Sequence, residues 1–110
     1  MSAKDVIIEA EGTTLRIQLR VASLSTDNVI MGALGDHRHP SQPFEKLMLD
    51  FDLVEYINST GVSEIINIYR LFKDQSMGSF EMVLFNVTPR VKAILELVEI
   101  HNIATVRQAF

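Results

Sequence analysis

The stretch Leu49–Phe72, LDFDLVEYINSTGVSEIINIYRLF, changes its hydrophobic period partway along, and that change decides how the chain folds. After Gly61, Val62, Ile65, Ile66, Tyr69 and Phe72 recur at helical spacing, while Ser63, Glu64, Asn67, Arg70, Lys73 and Asp74 take the other side. That pattern is an amphipathic helix with one buried stripe. Before it, Phe44–Phe51 has strand character, and the continuous Leu47-Met48-Leu49 suggests burial on both faces. Val54–Ile57 extends that strand or forms a short companion. Between strand and helix stands INSTG, in which Asn58, Ser59 and Thr60 offer short side chains to the free N–H groups of the first helical turn, and Gly61 permits a tight backbone turn.

Working outward, Val6–Glu9 and Thr14–Val21 read as two strands around Glu11-Gly12-Thr13. In the second, Leu15, Ile17, Leu19 and Val21 alternate with Arg16, Gln18 and Arg20, the period of a strand with one buried face. A hairpin is the simplest connection. Thr26-Asp27 is placed to cap a short helix carrying Val29, Ile30, Ala33 and Leu34, which Gly35 ends; Asp36–Pro43, with two prolines and no apolar residue, reads as a surface loop. Downstream, Gln75–Ser79 breaks the long helix and Phe80–Phe85 is the next buried strand. Thr88-Pro89 then offers an N-cap followed by proline at the first helical position, ahead of the stripe Val91, Ile94, Leu95 and Val98. Ile103–Val106 reads as a last short strand.

Strands alternating with helices in this order predict an α/β fold over a single domain, residues 1–110: a mixed, mostly parallel sheet with right-handed crossovers and helices packed mainly on one face. The helices should begin near Gly61 and Thr88, with Ile65, Ile66, Ile94 and Leu95 in the core.

Composition narrows the function. Against 14 Asp+Glu stand 10 Lys+Arg, a formal net charge of −4, which gives no electrostatic footprint for nucleic acid or anionic lipid. There is no cysteine, so neither a disulfide framework nor a thiolate site. MSAKDVIIEAEG lacks the apolar region of a signal peptide, and no apolar run approaches the roughly 18 residues of a spanning helix. A soluble, cytoplasmic protein without membrane insertion is expected, whose partners are proteins or small ligands. His37 and His39 lie two apart in a proline-containing loop without a third ligand at suitable spacing, so a solvated loop is expected there and no metal site. His101, after the last helical stripe, reads as a C-terminal cap or surface residue. Asp50, Asp52 and Glu55 cluster near the end of the central strand and read as a solvated strand end. The glycines form neither a dinucleotide fingerprint nor a phosphate loop. No catalytic residue, cofactor or metal is expected, and the chain is not read as an enzyme. The hydroxyls of INSTG admit two readings: helix capping, or a phosphate acceptor at a helix start, where free N–H groups and the helix dipole stabilise an anion.

On these residues the chain resembles the STAS family, named for sulfate transporters and anti-sigma factor antagonists. Leu47-Met48-Leu49-Asp50-Phe51 and Val54–Gly61 resemble the family's apolar strand ending in Asp and its D-S-S-G or D-S-T-G turn opening a helix. Val83-Leu84-Phe85-Asn86-Val87-Thr88-Pro89-Arg90-Val91 looks like its later strand, Asn-x-x-Pro-like turn and helix, and Ile94-Leu95-Glu96-Leu97, Ile100 and Ile103 match its closing pattern. Three places differ. Asn58 stands where Asp is usual, Glu99 where a small residue or glycine is common, and Arg20-Val21-Ala22 lacks the usual Gly-x-x-Asp-like step.

The resemblance implies a STAS-type fold and a phosphorylation-switched binding module of the single-domain anti-sigma factor antagonist type. In that scheme Thr60, just before the glycine, accepts phosphate from a partner serine kinase that is also the anti-sigma factor, with Ser59 as fallback. Phosphorylation releases the partner and a phosphatase restores binding. The partner-binding surface is then expected at Asn58, Ser59, Thr60, Gly61, Ser63 and Glu64. A similar domain also serves as a small cytoplasmic subunit of bacterial lipid-transport ABC complexes, where it binds the ATPase.

Overall fold

The computed structural model describes residues 5–25, 29–34, 44–75 and 80–108. The proposed cap at Thr26-Asp27, the Gly35 stop, the loop Asp36–Pro43 with His37 and His39, and the break at 76–79 lie outside the described residues.

Strands β1 (Val6–Glu11) and β2 (Thr14–Leu19) form the expected antiparallel hairpin, registered from Val6 opposite Leu19 to Glu11 opposite Thr14. Gly12, first of the two loop residues, has φ +61°; the space around it is empty, so it is backbone conformation that favours glycine here. Strands β4 (Lys46–Asp50), β6 (Glu81–Val87) and β7 (Thr105–Gln108) join β2 in parallel, giving the order β1-β2-β4-β6-β7. A second, two-stranded parallel sheet pairs β3 (Ser23–Leu24) with β5 (Tyr56–Ile57). β3 is too short to carry a period and was not readable from the sequence; β5 is the short companion strand.

The connections β2 to β4, β4 to β6 through helix α2 (Ser59–Gln75), and β6 to β7 through helix α3 (Pro89–Leu97) each advance one strand in the same direction. Right-handed crossovers then place their helices on one face. On that face Leu15, Leu47 and Met82 are in register, as are Ile17, Leu49 and Leu84, and all six are buried. They share a core cluster with Val62, Ile65, Ile68 and Phe72 of α2 and Val91 and Leu95 of α3. Helix α1 (Val29–Leu34) adds Ile30, fully buried.

Four expectations need correction. Ile66 and Ile94 are half-buried at the margin of the core, and Val98, beyond the end of α3, is 43% exposed. In α2 the buried line runs through Ile68, with Tyr69 on its flank beside Phe80, ring centroids 5.9 Å apart. Glu64, expected on the exposed side, is 4% exposed. Its carboxylate accepts the Ile30 N–H at 2.9 Å, so the start of α1 lies where solvent was expected.

Helix α3 begins as read. Thr88 caps it, its hydroxyl accepting the Val91 N–H at 3.3 Å, with Pro89 at the first position. On its exposed side the Lys92 ammonium, hydrogen-bonded at 2.7 Å, holds the Glu96 carboxyl below its ordinary range. A 3-10 turn, Ile100–Asn102, follows, where His101 is exposed. Glu99, entering that turn, has φ +64°.

Candidate functional site

The INSTG turn is held from three sides. Asn58 Oδ1 accepts the N–H groups of Thr60 at 3.0 Å and Gly61 at 3.1 Å, while its backbone carbonyl accepts the Val62 N–H at 2.9 Å. Asn58 is therefore the N-cap of α2, and two of the free donors at the helix start are satisfied by one oxygen. Its amide nitrogen donates to the Ser25 carbonyl at 3.4 Å, and its backbone N–H to the Leu24 carbonyl at 3.4 Å. An Asp at this position would keep the two accepted bonds and present a carboxylate oxygen to the Ser25 carbonyl. The Asn in place of the family's usual Asp thus adds a donor that ties the turn to β3.

Gly61 has a different reason from the one its position suggested. Its backbone is helical, but a Cβ there would overlap the Leu24 carbonyl oxygen and stand 2.9 Å from Ile57 Cγ1. The glycine lets β3 pass against the helix. Both Leu24 and Ile57 are buried, and β5 packs against α3, so the turn rests on a fixed base.

Of the six residues assigned to a partner surface, Ser59 and Ser63 are exposed, Asn58 and Thr60 half-buried, and Gly61 and Glu64 buried. Gly61 lies against Leu24 and Ile57, and Glu64 is turned toward the Ile30 N–H. Two residues missed by the sequence reading join the exposed set: Leu53, 45% exposed, and Tyr56, 48% exposed, in the segment leading into the turn. The available signal was strand alternation: with the apolar Ile57 facing inward, its neighbour Tyr56 faces out.

The acidic cluster divides. Asp50 Oδ1 accepts the Asp52 N–H at 3.0 Å and the Asn86 amide at 3.2 Å, bracketing the end of β4 to an irregularity of β6 where Asn86 has φ +57°. Asp52 and Glu55 are exposed. Among the described residues no group of three or more His, Cys, Asp or Glu could hold a metal ion, and no helix is long and apolar enough to cross a membrane.

A family model described as "STAS domain" matches residues 5–109. The sequence has no match among curated proteins. Among solved structures, the chain is similar to a candidate anti-sigma factor antagonist from Thermotoga maritima, with TM-score 0.72 and 16% identity over 96% of this chain and 88% of that one. An anti-sigma-factor antagonist domain protein from Planctomyces limnophilus gives TM-score 0.71 and 16% identity over 96% and 90%. The Bacillus cell fate determinant SpoIIAA in its phosphorylated form gives TM-score 0.56 and 14% identity over 92% and 89%. At these identities the likeness is one of fold.

Proposed function

We propose, from the premise that this chain belongs to the STAS domain family, that it is a phosphorylation-switched protein-binding module of the anti-sigma factor antagonist kind. Its partner is a serine kinase that also acts as an anti-sigma factor, met in the cytoplasm, and a phosphatase resets it. The γ-phosphoryl group of ATP passes to the Thr60 hydroxyl oxygen, the hydroxyl proton is lost and ADP leaves; the chain itself is the substrate and not the catalyst. Ser59 is the alternative acceptor. The observation that carries this reading is the Asn58 cap: it fixes the backbone of Thr60 and Gly61 while Thr60 stays half-exposed at the start of a 17-residue helix. A phosphate of about −1.5 to −2 charge is tolerated at such a helix start, yet a partner surface seated there would have to desolvate or repel it. SpoIIAA, similar in fold, has been solved unphosphorylated and phosphorylated. Leu53 and Tyr56 supply the exposed apolar contact that a binding surface beside the turn needs.

The test is incubation of wild type, Thr60→Ala and Ser59→Ala with ATP and candidate kinases, followed by peptide mass spectrometry. Label on wild type and Ser59→Ala, absent from Thr60→Ala, is expected. Label kept by Thr60→Ala and lost from Ser59→Ala reverses the assignment. No label with any cognate kinase, together with co-purification of a transporter ATPase, would replace this reading by the transport-subunit one.

A further inference from the structure

Glu64 is a charged residue placed inside the fold, one helical turn after Thr60. Residues at this spacing stand over one another on a helix, about 5–6 Å between Cβ atoms. From α2 its carboxylate reaches across to α1 and accepts the Ile30 N–H at 2.9 Å. Helix α1 has six residues and no acidic residue in its own first turn. A helix so short is not stable alone and holds its place through tertiary contacts; these include the burial of Ile30, the packing of Val29 against the core, contact with β1, and the Glu64 bond.

We infer that Glu64 is a positioning residue that ties α1 to the Thr60 turn, so that negative charge placed on Thr60 loosens α1. The inference rests on the reading of Thr60 as the modified residue, and it names the element through which that modification changes the surface a partner meets. Like charges at this spacing oppose each other even on an exposed helix, and the opposition strengthens where one partner is shielded from water. Charge at position 60 is accommodated by the start of α2 itself. The Glu64 carboxylate has no such freedom, because moving away from the new charge means leaving the Ile30 N–H. The α2 helix and the sheet stay as they are, and the docking of α1 is what yields.

Amide hydrogen exchange on the whole chain tests this without a kinase, because the charge is introduced by substitution. In Thr60→Glu, exchange of residues 30–34 should rise by about fivefold or more while β4 and β6 keep their protection. In the Thr60→Glu, Glu64→Gln double variant the rise should disappear, since the amide keeps an acceptor and removes the charge. Separately, Glu64→Ala should speed exchange of residues 30–34 and Glu64→Gln should not. Unchanged α1 exchange in Thr60→Glu, an equal rise with and without Glu64→Gln, or identical behaviour of Glu64→Ala and Glu64→Gln would each overturn the inference. A chain that shows the expected pattern but is labelled by no kinase would refute the switch reading and leave the Glu64 tie standing.

Discussion

At Gly61 a single missing Cβ decides whether strand β3 can lie against helix α2. The atoms it would meet are the Leu24 carbonyl oxygen, fixed backbone, and Ile57 Cγ1 on a buried side chain, and neither is free to give way. Gly61→Ala should therefore destabilise the fold by about 1–3 kcal/mol, the range for overpacking, although alanine is the better helix former. Denaturant unfolding measures it, and a variant as stable as wild type would mean that β3 moves aside. The opposite sign is expected at Glu99, a non-glycine residue at φ +64°. The left-handed conformation costs an L-residue roughly 1–2 kcal/mol, of which glycine's greater unfolded freedom takes back part. Glu99→Gly should raise stability by about 0.5–1 kcal/mol, even with the loss of the exposed Asn102-to-Glu99 hydrogen bond at 3.1 Å. A fall in melting temperature would show that this bond outweighs the backbone strain.

Among the elements, α2 separates what was legible in the sequence from what was not. Its existence, its start beside INSTG and its burial through Val62, Ile65 and Phe72 follow from spacing that any sheet-packed helix must satisfy. Its rotation does not, because α2 is apolar over a wide arc and both Ile66 and Ile68 are eligible for the core. In the chosen rotation Glu64 turns inward and accepts the Ile30 N–H, 34 positions away along the chain. No local pattern carries information at that separation. The same holds for β3, two residues long, whose pairing with β5 is the reason for both Gly61 and the Asn58 amide. The predicted consequence is a contrast within one helix. Ile65→Ala should cost about 2–5 kcal/mol through lost burial and a residual cavity, and Ile66→Ala roughly half that or less. Equal losses in parallel urea titrations would contradict the helix rotation described above.

Over the whole molecule, a mostly parallel sheet carries its helices on one face, whereas such sheets are normally covered on both. The second face is closed by its own side chains. Val83 is fully buried there, in register with the half-buried Met48, and among the described residues the helices pack on the other face. The Arg16 guanidinium lies 5.8 Å from the Phe85 ring centroid, with Glu9 opposite Arg16 in the hairpin, and Lys46 stands 3.8 Å from Glu81. Long polar side chains can lay their stems over apolar surface and keep their heads in water. That arrangement lets the face remain solvated, while Leu53, Tyr56, Ser59 and Ser63 are exposed around the turn where the partner surface is proposed. The Arg16–Phe85 contact is the place to test it. Arg16→Ala should cost about 0.5–1 kcal/mol, because it removes both the cation–ring attraction and the cover over an aromatic side chain. Phe85→Leu should remove most of that penalty in a double-mutant cycle, with a coupling of about 0.5 kcal/mol or more. Strict additivity of the two substitutions would mean that the guanidinium does not shield the ring, and that another group closes the second face.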